Sequence, residues 1–471
     1  MHPLRRSLVL ALAVLAGVLV PLPRASAQKK DAPPAAAPGT TKDFPDLGLT
    51  ITLPASFGEV KELPDKSDQL RQRWTAKLGS VELDIELWVM PVEGFGFEEP
   101  EDVMDTLLYN LRDPKRGDPD FAFEEQHLLA GPFGVSSYAS LARGALRDKD
   151  GTKETGTRYL LGGLLEKYGY SLEVLAAPQP GAEGNKAIQD FLAHGLAFRG
   201  AKREPKWTDA EAKARWQRDV PEKLAKELEQ VVRTAHYIIL TNSGGRGAGE
   251  KFGEQMEKNY AAIKKVFPFE DAVERRLMPI FLFTNPDDYY EFFARQFKTD
   301  VEEARKSKGV AYGDWYATYF DAKTDPVHIH EGTHQVFKNR LRLPGGGSWF
   351  QEGVAEYMCS AKNDLNVAAR TVAKNRHTAL ADFVKIRSLL FSAKEDVKGG
   401  NEAAGHYQLA AVLIEFLHDS KFGKDKFQDF VHAVGLVPAN SRAAIERVVK
   451  SVYGTDLAGL EKQWIEYCKH R

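Results

Sequence analysis

The chain has 471 residues, with 64 basic against 66 acidic side chains, a formal net charge of −2 and 43% hydrophobic residues. That balance excludes the electrostatic footprint that binding nucleic acid or an anionic membrane surface requires. Cys359 and Cys468 are the only cysteines, which excludes a cysteine-built framework or cysteine-rich zinc site and leaves one disulfide open.

Residues 1–27 read as an export signal cleaved after Ala27, with an uncleaved anchor as the alternative: Arg5 and Arg6 give a basic start, the apolar run from Leu8 to Val20 is too short to span a bilayer comfortably, and Ala25-Ser26-Ala27 supplies the cleavage pattern. No later stretch approaches the ~20 continuous apolar residues of a membrane span, so the mature chain is expected to be exported and soluble, periplasmic or extracellular. Residues 28–43 combine Pro, Ala and polar residues without periodicity, as a flexible leader does. Two globular units should follow, since this length exceeds what a single core usually organises.

From 44 to 200 the pattern is mostly strand-like. In "SVELDIELWVM", Val81, Leu83, Ile85, Leu87 and Val89 alternate with Glu82, Asp84, Glu86 and Trp88, the period of a strand with one wet face. Further strands are predicted in "LTITLP", "RWTAKL", "SSYASLARG", "TRYLLGGLLE" and "YSLEVLAAP". A helix is predicted over "NKAIQDFLAHGLAF", where Ile188, Phe191, Leu192 and Leu196 recur at helical spacing. His127 and His194 read as surface or packed histidines. This accessory domain resembles, in pattern, the small secreted α/β sandwich domains of the PsbP-like kind.

Residues 201–232 alternate in sign at helical spacing and read as a charged helical linker with a solvated face. From 233 to 471 strands come first and helices afterwards. "AHYIILTN" reads as a strand, "EKFGEQMEKNYAAIKKVF" as a helix, "MPIFLFTN" as a strand, "PDDYYEFFARQF" as a helix and "GVAYGDWYATYFDA" as extended; all beyond Asp325 reads as helical. The fold class is therefore α+β, a sandwich-like first domain followed by one with a small sheet and a helical C-terminal half.

"PVHIHEGTHQVF" places His330, Glu331 and His334 in the order H-E-x-x-H. Asp325 is a suitable N-cap and Pro326 occupies the first helical position, where its missing N–H costs nothing. On that helix His330 and His334 project from one face a turn apart, as two imidazoles must to reach a single ion, and Glu331 lies within reach of a water beside them. Phe337 and Leu341 continue the face and form its floor. Gly332 lowers helix propensity by about 1 kcal/mol relative to Ala, which a close backbone approach would explain; His328 falls on another face and is read as non-ligating.

Catalytic zinc usually takes three protein ligands and keeps an open position. "LPGGGSWFQEGVAEYM" offers the third: the Gly run breaks the chain, Ser348 and Gln351 form a capping-box pair, and Glu352 and Glu356 lie one turn apart on the new helix. Apart from the upstream motif, both could be surface carboxylates.

With these four residues, His330, Glu331, His334 and Glu352, and with "WFQEGVAEY" looking like a Trp-x-x-Glu-Gly-x-Ala segment, the chain resembles the gluzincins, the zinc metallopeptidases typified by thermolysin and the zinc aminopeptidases. More narrowly, residues 233–471 resemble the secreted bacterial gluzincin-like domains of unknown function, down to the closing "YGTDLAGLEKQW". The resemblance implies a zincin fold, Zn2+ held by His330, His334 and Glu352, Glu331 as general base, and Glu356 as the acid that orients a ligand histidine. Thermolysin has Asp where Glu356 stands here, and the interval from the second histidine to Glu352 is slightly shorter than in the best-known families; both departures bear on substrate geometry. An oxyanion donor is expected from a later helix. Tyr407 in "NEAAGHYQLAAVLIEFLHD" is the candidate; Ala411, Ile414 and Leu417 share its face and would let the ring simply pack, and His406 is the alternative donor. From the zincin fold, residues 310–320 are expected to supply an edge strand for an extended peptide.

The expected activity is hydrolysis of peptide or protein substrates by a metal-activated water with a glutamate base. Two rivals stand beside it: a secreted binding or scaffold protein that keeps zinc as a structural element, and a zinc hydrolase acting on a non-peptide bond.

Overall fold

The computed structural model describes residues 39–471 except 65–66, 96, 98, 113–120, 131–137, 148–152, 200–206, 246, 270–274, 321–324, 390–401 and 440. The expected export signal lies outside the described residues. Order begins earlier than Phe44, because residues expected in the leader form a strand: β1 (Thr40–Phe44) pairs antiparallel with β2 (Leu49–Leu53). Only Phe44 of β1 is buried, so backbone pairing rather than apolar periodicity holds this edge strand, and periodicity could not reveal it.

The first half continues with β3 (Lys61–Leu63), β4 (Leu70–Leu78), β5 (Val81–Pro91), β6 (Glu125–Ala130), β7 (Tyr138–Arg147), β8 (Glu154–Leu164), β9 (Tyr168–Ala177) and β10 (Leu196–Phe198). They form a seven-stranded antiparallel sheet, β3-β4-β5-β9-β8-β7-β6, and a three-stranded one, β1-β2-β10. The apolar row of β5 is buried in one core with Ile51, Trp74, Ile188 and Phe191, and on its other face Asp84 accepts from Arg73 Nε at 2.8 Å. Helix α1 (Pro100–Leu111) packs against β7, β8 and β9. Helix α2 (Ala182–His194) stops short of the expected Phe198: Gly195 ends it, and Leu196–Phe198 turns back to pair with β2.

The expected charged helical linker is a shorter helix with a buried face. α3 (Asp209–Asp219) starts from a capping box between Thr208 and Glu211 and ends ahead of Pro221, which can neither donate to a helix nor leave Val220 helical. Trp216 is fully buried on it, and Arg215 donates to Asp314 at 2.8 and 2.9 Å. The linker expectation also missed β11 (Gln230–Arg233), which precedes β12 (Tyr237–Thr241).

Helix α4 (Ala248–Val266), β13 (Met278–Phe283), α5 (Pro286–Phe297), β14 (Gly309–Tyr312) and β15 (Trp315–Tyr319) complete a five-stranded sheet, β11-β12-β13-β15-β14. β12, β13 and β15 run parallel and β14 returns antiparallel at the edge. β12 and β13 are buried throughout, as parallel strands covered on both faces are: Tyr237, Ile239, Ile280 and Leu282 pack with Phe252 and Met256 of α4, and Ile238, Leu240, Phe281 and Phe283 with Trp216 and Phe292.

No strand follows Asp325 among the described residues. α6 (Pro326–Val336) runs into a π-helical turn, Phe337–Leu341, and then come α7 (Ser348–Cys359), α8 (Lys362–Ala373), α9 (Glu402–Asp419), α10 (Phe427–Leu436), α11 (Arg442–Tyr453) and α12 (Leu457–His470). Met90, Val103 and Met104 share a core with Val336 and Trp349. At that junction Glu99 and Glu101 are buried against Arg275, with Nη2 of Arg275 at 2.9 and 2.8 Å from them, and against Arg342. The chain is thus mixed α and β with three sheets among its described residues, and no helix among them is long and apolar enough to cross a membrane.

Candidate metal centre

α6 begins as its sequence predicts: Asp325 accepts from Val327 N at 3.0 Å and Pro326 follows at the first position. His330 and His334 emerge a turn apart with their Nε2 atoms 3.3 Å from one another. His328 is turned away and buried, with Nδ1 2.9 Å from the Tyr316 hydroxyl. Phe337 and Leu341, expected to form the floor, are buried in the core and are not among the residues that line the cleft. Gly332 does not meet the backbone approach expected of it: a Cβ there would lie 3.2 Å from Met256 Cε, the end of a flexible side chain on α4, with no backbone atom of another element within 4 Å.

α7 brings the carboxylates. Its N-cap is Gly347, and the expected Ser348–Gln351 capping box does not form. Ser348 Oγ instead accepts from Leu389 N at 3.0 Å, while Gln351 Nε2 donates to the Leu343 and Gly345 carbonyls at 2.8 and 2.7 Å, bracing the turn from inside. Gly345 is required there, since a Cβ would sit 2.0 Å from the Val437 carbonyl oxygen.

Glu352 Oε2 reaches both histidines, 3.4 Å from each Nε2, so the three side chains expected as ligands converge as a group able to hold a metal ion. Glu356 Oε2 lies 3.4 Å from the other nitrogen of His330, and its Oε1 accepts from Ser360 Oγ at 2.6 Å and Gln408 Nε2 at 3.2 Å. Glu331 faces the strand edge, where Oε2 accepts from Ala311 N at 2.7 Å.

These groups line a cleft of about 710 Å³ together with Gly309, Val310, Ala311, Cys359 and Tyr407. Tyr407 is half-buried, its ring centroid 6.4 Å from that of His330; His406 packs on Phe383 and is not among the lining residues. Ala411, Ile414 and Leu417 are buried, leaving Tyr407 as the member of that face that meets the cleft. Another cleft of about 530 Å³, near Asp43 and Arg199, is lined by neither histidine nor cysteine.

The electrostatics are those of crowded acids. Burial opposes ionisation of Glu352, but the charges and hydrogen bonds of His334 and His330 hold its carboxyl well below the usual range. Burial works against protonation of His330, yet Cys359, Glu352 and Glu356 raise it well above an ordinary histidine. Burial raises Glu331, against the opposing pull of His330, His334 and the Ala311 N–H.

Cys359 and Cys468 are both free thiols, so the disulfide left open by sequence is not formed. Cys359 instead joins the site, 3.6 Å from His330 Nδ1. The signal for it lay in spacing: Glu352, Glu356 and Cys359 stand at i, i+4 and i+7, one face of α7. The Ala311 N–H carried no such signal.

α7 depends on Gly353, where a Cβ would come within 3.2 Å of the Ala410 carbonyl oxygen, the Ala410 Cβ and Ile414 Cγ1 on α9. Gly353→Ala sets overpacking of about 1–3 kcal/mol against the roughly 1 kcal/mol that Ala gains over Gly in a helix interior, so a net loss of about 1 kcal/mol is expected, read as a lowered denaturation midpoint; a raised midpoint would mean that α7 and α9 part readily.

No family model matches the chain, and no curated protein does. Among solved structures it is similar to a crystal structure from Bacteroides thetaiotaomicron VPI-5482 at 8% identity, with 64% of this chain and 79% of that one covered and a TM-score of 0.22.

Proposed function

We propose that the chain is a secreted zinc-dependent peptidase, in which a zincin-like segment, residues 233–471, carries the chemistry and residues 44–200 form an accessory domain. The observation that supports this most is the near-equilateral triangle of His330 Nε2, His334 Nε2 and Glu352 Oε2, with sides of 3.3, 3.4 and 3.4 Å. A tetrahedral ion with bonds of about 2.0–2.1 Å to nitrogen and oxygen sets its ligand atoms about 3.3–3.4 Å apart. Two imidazoles and a carboxylate suit zinc, and Glu331, Glu352 and Glu356 gathered round two histidines favour a divalent cation.

When bound, zinc supplies a water of lowered pKa and polarises the scissile carbonyl. Glu331, steadied by the Ala311 N–H, takes the proton of the attacking water and returns it to the leaving amine. The Tyr407 hydroxyl donates to the developing oxyanion. β14, at the sheet edge beside Glu331, receives an extended peptide by strand addition. The glutamate beside the ligands favours catalysis over a purely structural ion, which has no use for a base.

Metal analysis of the purified chain tests the ligand set. Wild type should carry about one zinc per chain, and His334→Ala should lose it; a metal-free wild type that takes up no added zinc would sink the proposal. Glu356→Ala should weaken zinc by roughly 10–100-fold, the usual cost of losing a partner that orients a ligand. Unchanged affinity would make Glu356 a bystander.

A further inference from the structure

We propose that His330, Glu356 and Cys359 form a second metal site, for a thiophilic divalent ion, on the opposite side of the His330 ring from the first. His330 Nδ1 lies 3.4 Å from Glu356 Oε2 and 3.6 Å from Cys359 Sγ, and Sγ lies 3.5 Å from Oε2. An ion held tetrahedrally, with bonds of about 2.0–2.1 Å to nitrogen and oxygen and about 2.3 Å to sulfur, sets N and O about 3.3 Å apart and S about 3.5–3.6 Å from each. All three separations match that thiolate-containing geometry. The group is also held in place from behind: Ser360 and Gln408 anchor Oε1 of Glu356, which aims Oε2 at His330 and Cys359. All three side chains line the cleft, so an ion can reach them from solvent.

The first trio offers nitrogen and oxygen alone, whereas a thiolate confers preference for soft ions such as Cd2+ over hard ones. Binding releases the Sγ proton to solvent, and no electron is transferred. A neutral imidazole has one lone pair to give; an ion on Nδ1 leaves the ring proton on Nε2 and withdraws His330 from the first trio. The two sites are therefore alternatives on one ring, and a thiophilic ion in excess disables the first. The second site does not depend on the peptidase reading.

The test is titration of the full purified chain with Cd2+, followed by thiolate-to-cadmium charge-transfer absorption in the ultraviolet. The first trio contains no sulfur and cannot give this band. Wild type and Cys468→Ser should show it and Cys359→Ser should lose it. Glu352→Gln, which replaces no member of the second trio, should keep it, so the second site can stand even if zinc at the first trio fails. No band in wild type, or a band that survives in Cys359→Ser, would overturn the second site; so would its loss in Glu352→Gln, which would mean that the thiolate's ion needs Glu352 as a ligand.

Discussion

Glu331→Gln is expected to keep zinc at about one equivalent while peptide hydrolysis falls by at least ~10²-fold, the lower range for losing a general base. Metal binding and catalysis make different demands at this position. Glutamine preserves size and helix propensity and still offers the Ala311 N–H an oxygen, and His330, His334 and Glu352 keep their triangle. What it lacks is an acceptor for the water's proton. Zinc content and kcat/KM on one cleaved peptide, measured on the same preparation, separate the two effects. Equal cleavage by wild type and variant would remove Glu331 from the mechanism.

Arg275→Met should lower stability by about 3–5 kcal/mol, the cost of breaking a buried ion pair from one side. Arg275 is 3% exposed and donates to Glu99 and Glu101, which are 8% and 1% exposed. The methionine fills similar volume but leaves Glu101 with Arg342 at 3.6 Å as its remaining cationic neighbour in the junction. Thermal or denaturant unfolding reads the loss. An unchanged midpoint would mean that Arg340 and Arg342 neutralise the acidic pair without help.

That junction marks where sequence reading runs out. Glu99 and Arg275 are 176 residues apart, and nothing in local composition pairs them. Local signals did better. The Asp325-Pro326 start of α6, the strand alternation of β5 and the one-turn spacings of His330 with His334 and of Glu352 with Glu356 all carry a periodicity or a capping chemistry that physics reads directly. Capping residues misled at Ser348, because Gly346 and Gly347, both at positive φ, set the helix start through the turn itself and freed Ser348 and Gln351 for other partners. Charge alternation misled at α3, where Trp216 and Arg215 face inward between charged neighbours. Spacing puts Cys359 on the face of Glu352 and Glu356, and the crossing of α6 and α7 then sets its sulfur beside His330.

The role proposed for the trio of His330, His334 and Glu352, holding zinc for hydrolysis, is open to test by digestion of a broad peptide library with the zinc-loaded full chain. Wild type should cut a defined subset of peptides, lose that activity when zinc is chelated and regain it when zinc is restored. A chain that carries its zinc and cleaves nothing across the library would contradict the claim and leave a zinc-holding binding or scaffold protein in its place.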